Sequence, residues 1–376
     1  MAVYLDFNAS APIDMRVLDQ MIDIYKNHAG NDDSRTHVYG TDAKEIVAKS
    51  RKTIADVLAI DSMDLFFTSG STESNNMATL GLIDYAKESG KTHFITTAIE
   101  HKSVLEAMKR LKKIGFEVDF VAPDTSGRIK PEQILNLVTG KTLLVSMMHV
   151  NSETGIIQPI QEVGEALSKT STYFHVDATQ GFGKLNDDLR STKYDMLSIT
   201  AHKLGGPQGV GGLVLKRDRS YRRPPITPLM CGGQQERGFR PGTTPVALVA
   251  GFALAAELCE NEAASNLSAC RQIKSKLIDS ISGLDYTFNG DQSFCIPSTA
   301  NISFKGVDAE ALFLAMKNDY AFSNGSACNS GSHEPSYVLT AMGLPEDRIN
   351  EAVRLSWNNE TVVDFTELAS FIKDMQ

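Results

Sequence analysis

Tyr173-Phe174-His175-Val176-Asp177 and Met196-Leu197-Ser198-Ile199-Thr200 are the two segments that decide the fold. Each is a short, mostly apolar run with the length of a buried strand, and polar residues stand at its carboxyl end. The first run ends at Asp177, and Ala201-His202-Lys203 follows the second. The sequence therefore predicts an aspartate and a lysine at the ends of two strands.

Similar apolar runs lie on both sides of this pair and alternate with amphipathic stretches. This alternation predicts a mainly parallel sheet covered by helices, the arrangement of a doubly wound α/β domain. Leu213-Val214-Leu215 follows a glycine-rich stretch and is predicted as a further strand that runs antiparallel. The other predicted strands are 65–67, 93–97, 117–121, 142–147, 173–176 and 196–200, and the predicted helices are about 43–58, 73–88, 101–113, 131–138 and 160–168.

The carboxyl-terminal part of the chain has a different pattern. A long helical segment is predicted from residue 247 to about 278. The chain has 376 residues, and single cores stop growing at roughly 250 to 300 residues, so we predict two domains. The second is a small α+β domain, with predicted strands near 300–304 and 353–356 and predicted helices near 308–317 and 363–375.

Composition and charge exclude several functional classes. The net charge of -9 argues against a general nucleic-acid-binding surface, although Arg217, Arg219, Arg222 and Arg223 form one candidate basic patch whose alternative is a solvated loop. The amino-terminus has no basic-then-apolar signal pattern, and no run of about 18 apolar residues occurs. We therefore expect neither export nor membrane insertion, and a cytoplasmic location.

Asp177 and Lys203 together outline a pyridoxal phosphate site. A lysine amine can link covalently to the cofactor aldehyde, and a carboxylate beside the pyridine nitrogen keeps that nitrogen protonated, so that the ring accepts electrons from the substrate. Aspartates and lysines near strand ends are common in α/β enzymes. The pair alone therefore does not establish the cofactor.

The segment Thr68-Ser69-Gly70-Ser71-Thr72-Glu73-Ser74-Asn75 adds a candidate phosphate cup. It follows a predicted strand and begins a predicted helix, whose first N–H groups are unpaired and attract anions, and Ser71 and Thr72 add hydroxyl donors. A simple helix cap is the alternative. His101 directly follows another predicted strand, and its ring could stack on a flat cofactor.

The five cysteines are Cys231, Cys259, Cys270, Cys295 and Cys328, an odd number without a CxxC pair or metal-ligand spacing. We therefore expect reduced thiols and no metal site. Cys328 differs from the others because the surrounding segment 322–332 has almost no bulky side chains. Such a segment cannot anchor itself by burial, which predicts a mobile loop of about 322–334.

Six ordered blocks resemble the cysteine desulfurases, in the NifS/IscS-like group of the class-V aminotransferase family. The resemblance runs from Tyr4-Leu5-Asp6-Phe7-Asn8 to Val353-Arg354-Leu355-Ser356, nearly the whole chain. The blocks are Phe67-Thr68-Ser69-Gly70-Ser71-Thr72-Glu73-Ser74, Met148-His149-Val150-Asn151, His175-Val176-Asp177-Ala178-Thr179-Gln180, His202-Lys203-Leu204-Gly205-Gly206-Pro207, Glu236-Arg237-Gly238-Phe239-Arg240-Pro241-Gly242-Thr243 and Ser323-Asn324-Gly325-Ser326-Ala327-Cys328.

The resemblance implies the pyridoxal phosphate-dependent fold type I, with a large domain of residues 13–250 and a mainly parallel seven-stranded sheet. Residues 1–12 would rejoin residues 251–376 in the small domain. It also implies a homodimer with a shared active site. The cofactor residues it implies are Lys203, Asp177, Gln180, Ser71, Thr72, Thr200, His202, His101 and, across the dimer, Thr243.

The implied reaction converts L-cysteine to L-alanine. Lys203 removes the substrate α-proton, His101 transfers protons, and Arg354 holds the substrate carboxylate with a planar two-donor fork. The Cys328 thiolate attacks the substrate sulfur and keeps it as a persulfide. The alternatives are another enzyme of this fold, such as a selenocysteine lyase or an aminotransferase, and a partner protein without turnover.

Three departures limit what the resemblance implies. Ser152 stands where the family usually has asparagine, so Asn151 or a water would complete the substrate contact. Asp32 and Asp33 add negative charge near the predicted site, with Arg35 as a possible offset. The segment 356–361 lacks the usual glycine and arginine, and a docking tail for iron-sulfur scaffolds is expected to be absent or short.

The sulfur acceptor is not specified by these residues. An iron-sulfur scaffold, a tRNA thiolation enzyme or the DNA phosphorothioation machinery would each fit, and the departures favour a dedicated modification pathway as a hypothesis. No direct binding of nucleic acid by this chain is expected.

Overall fold

The computed structural model describes residues 2–323 and 335–376. Its strands are β1 (Val3–Tyr4), β2 (Leu65–Thr68), β3 (His93–Thr97), β4 (Glu117–Val121), β5 (Thr142–Met148), β6 (Tyr173–Asp177), β7 (Met196–Thr200), β8 (Gly211–Leu215), β9 (Tyr286–Phe288), β10 (Thr299–Phe304), β11 (Tyr320–Ala321) and β12 (Ala352–Ser356). Its α-helices are α1 (Met15–Asn27), α2 (Val38–Leu58), α3 (Ser71–Leu80), α4 (Ile83–Ser89), α5 (Lys102–Lys113), α6 (Pro131–Leu135), α7 (Ile160–Leu167), α8 (Asn186–Ser191), α9 (Val246–Asn261), α10 (Ala263–Ile281), α11 (Ala309–Met316), α12 (Tyr337–Ala341), α13 (Glu346–Asn350) and α14 (Thr366–Met375).

The described residues form a large central sheet with the strand order β2-β8-β7-β6-β5-β3-β4. Strands β4, β3, β5, β6 and β7 pair in parallel, and β8 runs antiparallel between β7 and β2. Every strand predicted for this sheet is present, and the antiparallel direction predicted for residues 213–215 is confirmed.

Strands β5 and β7 are buried along their whole length because helices cover both faces of the sheet. One face packs against α1, α2, α7 and α9, with Val47, Ile54 and Phe252 in its core. The other face packs against α3 and α5, with Met77, Val104 and Met108 in its core. This two-sided burial explains why the strands appear in the sequence as nearly continuous apolar runs.

Two predicted helices are interrupted. The stretch predicted as one helix at 73–88 is divided into α3 and α4 at Gly81, whose Cα lies so close to Met77 and Ile226 that a Cβ would meet the Met77 carbonyl oxygen at 2.4 Å. The segment predicted as one helix from 247 to 278 is α9 and α10, separated at Glu262, whose backbone leaves the helical region. Helix α9 packs on the large sheet, whereas α10 contributes to a second core.

That second core surrounds a sheet of β12, β10 and β9, in which both pairings are antiparallel. The amino-terminal β1 pairs in parallel with β11, and Leu5 joins this core with Trp357. The predicted domain boundaries stay a prediction. Helix α9 packs into the core of the large sheet and α10 into the second core. We therefore propose that the second domain begins at Glu262 rather than at residue 251.

Within residues 2–323 and 335–376, no helix has both the length and the apolar composition needed to span a bilayer. The same part of the chain holds no cluster of three or more His, Cys, Asp or Glu side chains suited to a metal ion.

Candidate active site

A cavity of about 920 Å³ lies at the carboxyl ends of β2, β3, β5, β6 and β7, where parallel α/β sheets usually bind ligands. Strand β12 of the second core closes one side through Arg354. The structure brings most of the predicted site residues to this cavity. Its lining includes Ser71, Thr72, His101, Ser152, Asp177, Gln180, His202, Lys203 and Arg354.

Gly70 forms the sharp turn between β2 and α3, with a φ of 151° that residues with a side chain rarely adopt. No side chain caps this helix start, and residues 69–72 line the cavity. Glu73 is the acidic residue in the first turn; the Ser69 backbone N–H and the Arg240 guanidinium both donate to its carboxylate. The helix start therefore presents unpaired N–H groups to the cavity, which suits an anion.

The Asp177 carboxylate is held by neutral donors at the end of β6. Asn75 of α3 donates through Nδ2 to Oδ2 at 2.7 Å, and Thr179 donates its backbone N–H to Oδ1 at 3.0 Å. The residue is 3% exposed. A buried carboxylate bonded to neutral donors in this way is suited to a cationic N–H such as a pyridinium.

Glu100 is a second carboxyl group beneath the cavity, fully buried. Thr97 Oγ1 and the Met148 backbone N–H both donate to Oε1, whereas Oε2 has no partner in the described part of the chain. Burial raises the pKa of Glu100 to about 8, and the negative charge of Asp177 acts in the same direction. The neutral form of Glu100 is therefore favoured at neutral pH.

The protonation of Glu100 predicts a pH-dependent stability. A carboxyl group ionises near pH 4.3 in the unfolded chain, so the folded state binds more protons from about pH 4.3 to pH 8 and loses stability as the pH rises through this range. Glu100→Gln should remove this contribution, at most about 1.4 kcal/mol per pH unit. Denaturant unfolding of both proteins between pH 5 and pH 8 measures it.

The exposed Glu106→Gln variant is the matched control and should keep the slope of the unmodified chain. An unchanged slope in Glu100→Gln would show that Glu100 is ionised in the folded protein.

Lys203 follows β7 by three residues. Its amine donates to the carbonyl oxygens of Asn8 and Ala9 at 2.6 and 2.5 Å. Gln180 Nε2 donates to the same Asn8 carbonyl at 2.9 Å. The amino-terminal segment thus holds both the Lys203 amine and the Gln180 amide at the cavity wall.

His101 is the N-cap of α5. The Ser103 backbone N–H donates to His101 Nδ1 at 3.1 Å, and Ser103 Oγ lies 2.8 Å from the same nitrogen. Since Nδ1 accepts the cap bond, the network assigns the ring proton to Nε2. His101 therefore presents an N–H donor through the rest of its ring, which lines the cavity.

His202 is kept neutral in the structure. Burial lowers its pKa to about 4, and the charges of Lys203 and His101 act in the same direction. Its Nδ1 lies 3.0 Å from Thr200 Oγ1, which also donates to the Val210 carbonyl. Thr200 is therefore buried behind His202 and contacts this cavity-lining ring, but it does not line the cavity itself.

Arg354 lies in the middle of β12 and is 3% exposed. Its Nη2 contacts Asp6 Oδ1 at 2.5 Å and its Nη1 donates to the Ser152 carbonyl at 3.2 Å, while Nε is buried without a partner among the described residues. Asp6 and Ser152 therefore orient the guanidinium, and donor positions remain for a further anion. Residue 152 contacts Arg354 through its backbone carbonyl, so serine in place of the family's usual asparagine leaves this contact unchanged.

Two predicted site residues, Asn151 and Thr243, lie elsewhere, and a third falls outside the described residues. Asn151 accepts three bonds from residues 153 and 154 and donates to the Ile99 carbonyl, so its side chain holds a turn and does not line the cavity. Thr243 is exposed on a loop. Cys328 and most of the predicted loop 322–334 lie outside the described residues. Ser323, at its start, pairs with Arg354, and Pro335 lines the cavity.

Two of the three sequence departures have a structural explanation. Asp33 accepts from Gln235 Nε2 at 2.6 Å, and neither Asp32 nor Asp33 lines the cavity, so the expected negative charge near the site is corrected. Trp357 is buried in the second core, where its Nε1 donates to the Cys270 carbonyl.

The candidate basic patch is largely neutralised. Arg217 pairs with Asp61 and Asp64, and Arg222 pairs with Asp218. Arg223 donates to the Met63 carbonyl.

These features, an anion cup, a buried aspartate and a lysine around one cavity, define an enzyme of the pyridoxal phosphate-dependent fold type I. Comparison with known proteins agrees, because residues 3–364 match the family model described as aminotransferase class-V. The chain belongs to the aminotransferase class-V family and is a cysteine desulfurase of the IscS/NifS type.

Individual relatives support the finer group. The cysteine desulfurase IscS of Pasteurella multocida is 39% identical over 97% of this chain and 90% of its own length. The crystal structure of DndA from Streptomyces lividans is 43% identical with a TM-score of 0.83, covering 93% of this chain and 98% of its own. The structure of SspA in complex with cysteine is 33% identical with a TM-score of 0.84, covering 96% and 100%.

Several functional residues were missed by the sequence analysis. Asn8, Asn75 and Thr179 hold Lys203 or Asp177, although each lies inside a segment that the analysis had quoted. Glu100 precedes His101 directly. The contacts of Asn75 with Asp177 and of Asn8 with Lys203 span 102 and 195 positions of the chain, which no local pattern records.

Proposed function

We propose that the chain converts L-cysteine to L-alanine with pyridoxal phosphate and passes the sulfur to the Cys328 thiol as a persulfide. The observation that carries this proposal is the meeting of Lys203, Asp177, the start of α3 and Arg354 around one cavity. Each supplies one group that the reaction requires. The membership of the cysteine desulfurase group supports the substrate.

The residues present fit the cofactor. Lys203 would hold its aldehyde end, Asp177 its ring nitrogen and Gln180 its ring oxygen, with the His101 ring against one face. The N–H groups at the start of α3, the hydroxyls of Ser71 and Thr72, and His202 would hold the phosphate. When bound, pyridoxal phosphate stabilises negative charge on the substrate carbon beside the carboxylate.

Proton transfer is assigned to Lys203 and His101. The Lys203 amine takes the proton from the substrate α-carbon, and the carbonyl oxygens of Asn8 and Ala9 hold the resulting ammonium. His101 faces the substrate through Nε2, and it gives a proton from this nitrogen after Nδ1 has taken one up, so that the ring ends neutral. Asp6 keeps the Arg354 guanidinium oriented for the substrate carboxylate.

The transfer of sulfur to Cys328 needs no oxidant or reductant besides the substrate and the enzyme. The Cys328 thiolate attacks the substrate sulfur, a sulfur–sulfur bond forms, and the carbon–sulfur bond breaks with its electron pair left on carbon. Protonation of that carbon leads to alanine. The persulfide then passes its outer sulfur to an acceptor thiol, since thiolates attack such bonds readily.

The assay that tests this proposal follows alanine and sulfide from L-cysteine with a reductant present, after the yellow absorbance of the bound cofactor has been recorded. Equal amounts of alanine and sulfide are expected. Pyruvate or keto acid in place of alanine would contradict the proposal and favour a lyase or an aminotransferase.

Arg354→Lys is expected to raise KM for L-cysteine by about 10-fold to 100-fold with a smaller effect on kcat. Lysine offers a single point charge in place of a planar fork, so the substrate carboxylate loses one charged hydrogen bond. Steady-state kinetics measure both constants, and the exposed Arg222→Lys is the control. A loss of kcat with unchanged KM would assign Arg354 to the fold and not to the substrate.

We further propose a homodimer in which Thr243 reaches the phosphate site of the partner subunit. The position of Thr243 supports this, because Thr243 is exposed and is not among the residues that line the cavity of its own chain. Light scattering coupled to size-exclusion chromatography measures the oligomeric state. A monomer with full activity would exclude a shared site.

The acceptor is proposed as a protein with a reactive thiol, either an iron-sulfur scaffold or a tRNA or DNA thiolation enzyme. Likeness to IscS and to DndA is compatible with both. Transfer of radiolabelled sulfur from the loaded enzyme to each candidate protein separates them. A cytoplasmic location is part of the same proposal.

A further inference from the structure

Gln180 and Lys184 lie four positions apart in the turns that follow β6. The backbone N–H groups of Phe182 and Leu185 donate to the carbonyls of Ala178 and Gly181, and these turns bring the two side chains together. Gly183, with a φ of 80°, allows this turn to continue toward α8. Lys184 Nζ donates to Gln180 Oε1 at 3.1 Å.

The two side chains face different cavities. Gln180 lines the active-site cavity, whereas Lys184 lines a second cavity of about 530 Å³ between the two cores, together with Cys259, Cys270 and Trp357. Lys184 therefore reaches Gln180 from behind the active-site wall. Its hydrogen bond with Gln180 is its contact with the predicted cofactor site, and Lys203 lines both cavities.

The contact with Lys184 decides how the Gln180 amide is oriented. Because the ammonium can only donate, Gln180 Oε1 must face Lys184, and Nε2 must face the Asn8 carbonyl at 2.9 Å. That carbonyl also accepts from the Lys203 amine at 2.6 Å. A continuous path thus runs from Lys184 through Gln180 and Asn8 to Lys203.

Lys184 is an unfavourable residue for its surroundings. Burial lowers its pKa to about 8, although the nearby thiols of Cys259 and Cys270 act in the opposite direction. Among the described residues, Gln180 Oε1 is its one hydrogen-bond acceptor. An apolar side chain would avoid this desolvation, so packing alone does not explain a lysine here.

We propose that Lys184 is a positioning residue for the desulfurase reaction, which fixes the Gln180 amide and through it the place of the Lys203 amine. This inference rests on the proposed function. Gln180 keeps one amide proton free of the Asn8 carbonyl, and the fixed orientation presents it to the cavity. The same orientation keeps Gln180 Oε1, which can only accept hydrogen bonds, away from the electron-rich oxygen on the cofactor ring.

Three variants of Lys184 separate the hydrogen bond from the charge. Lys184→Met removes both, Lys184→Gln keeps a neutral donor, and Lys184→Arg keeps both. We expect kcat to fall about tenfold in the Met variant with KM for L-cysteine nearly unchanged, and an intermediate loss in the Gln variant. Thermal unfolding reports whether each variant is folded.

A second measurement needs no activity. In the cofactor-free protein, the pH dependence of Lys203 labelling by an amine reagent, read by mass spectrometry, gives the midpoint of Lys203 ionisation. The Met variant should shift this midpoint upward, because an Asn8 carbonyl released from Gln180 accepts more strongly from the ammonium. An unmoved midpoint would overturn the proposal.

A double-mutant cycle tests the route through Gln180. Gln180→Leu should be at least as defective as Lys184→Met, and the double variant should be no worse than Gln180→Leu alone, since Lys184 acts through Gln180. Additive losses would overturn the proposal. If the unmodified protein does not release sulfide, the proposed function fails instead, and the labelling of Lys203 still tests the positioning role.

Discussion

Lys203→Ala is expected to lower the rate of L-cysteine desulfuration by at least about a thousandfold, the order that general acid–base groups contribute. The variant removes both the amine that would hold the cofactor aldehyde and the base that takes the substrate α-proton. The anion cup, Asp177 and Arg354 stay in place, so substrate and cofactor should still bind. Alanine formation under single-turnover conditions measures the loss.

Lys52→Ala is the control, because Lys52 is exposed on α2 and pairs with Asp56. It should retain full activity. Added methylamine should restore part of the Lys203→Ala rate, since a free amine can enter a cavity of about 920 Å³ and replace the missing base. A Lys203→Ala variant with more than a small fraction of the original rate would remove Lys203 from the chemistry.

Cys328→Ala is expected to reduce sulfide release from L-cysteine to background while the yellow absorbance of the cofactor is retained. The proposed cofactor contacts come from Asp177 at the end of β6, from His202 and Lys203 after β7 and from the start of α3, and none of them requires the Cys328 thiol. Substrate can bind and lose its α-proton, yet its sulfur has no thiolate to receive it. Sulfide assays and mass spectrometry for a persulfide on residue 328 measure the outcome.

The chain provides a matched control in Cys231→Ala, because Cys231 is an exposed thiol outside the cavity lining. This variant should keep both the persulfide and the sulfide release. Should Cys328→Ala continue to form sulfide, a lyase reaction would replace the persulfide mechanism, and Cys328 would have no catalytic role.

The main elements of the large sheet could be predicted because each is encoded locally. Strands β5 to β7 are buried on both faces, so their residues must be apolar almost without interruption. The helix breaks at Gly81 and Glu262 could not be predicted. The break at Glu262 depends on which core each helix packs against, and the break at Gly81 coincides with a close approach to Met77 and Ile226.

Within the site, the residues with chemistry in their side chains were predictable, and those that orient them were not. Asp177, Lys203 and His101 each stand at a strand end, where a polar residue after an apolar run is conspicuous. Asn8 holds Lys203 with its backbone carbonyl, and Ser152 holds Arg354 in the same way. A carbonyl is present in every residue, so sequence carries no signal for this use.

The sequence by itself determined the class of fold, and it predicted which side chains are candidates for the chemistry. Only the tertiary structure decided which charges exist and where they point. Burial raises the pKa of Glu100, whose Oε2 has no partner among the described residues, whereas Asp177 accepts from neutral donors at both oxygens. Solvation and distant hydrogen bonds set these states, and they arise only when the chain is folded.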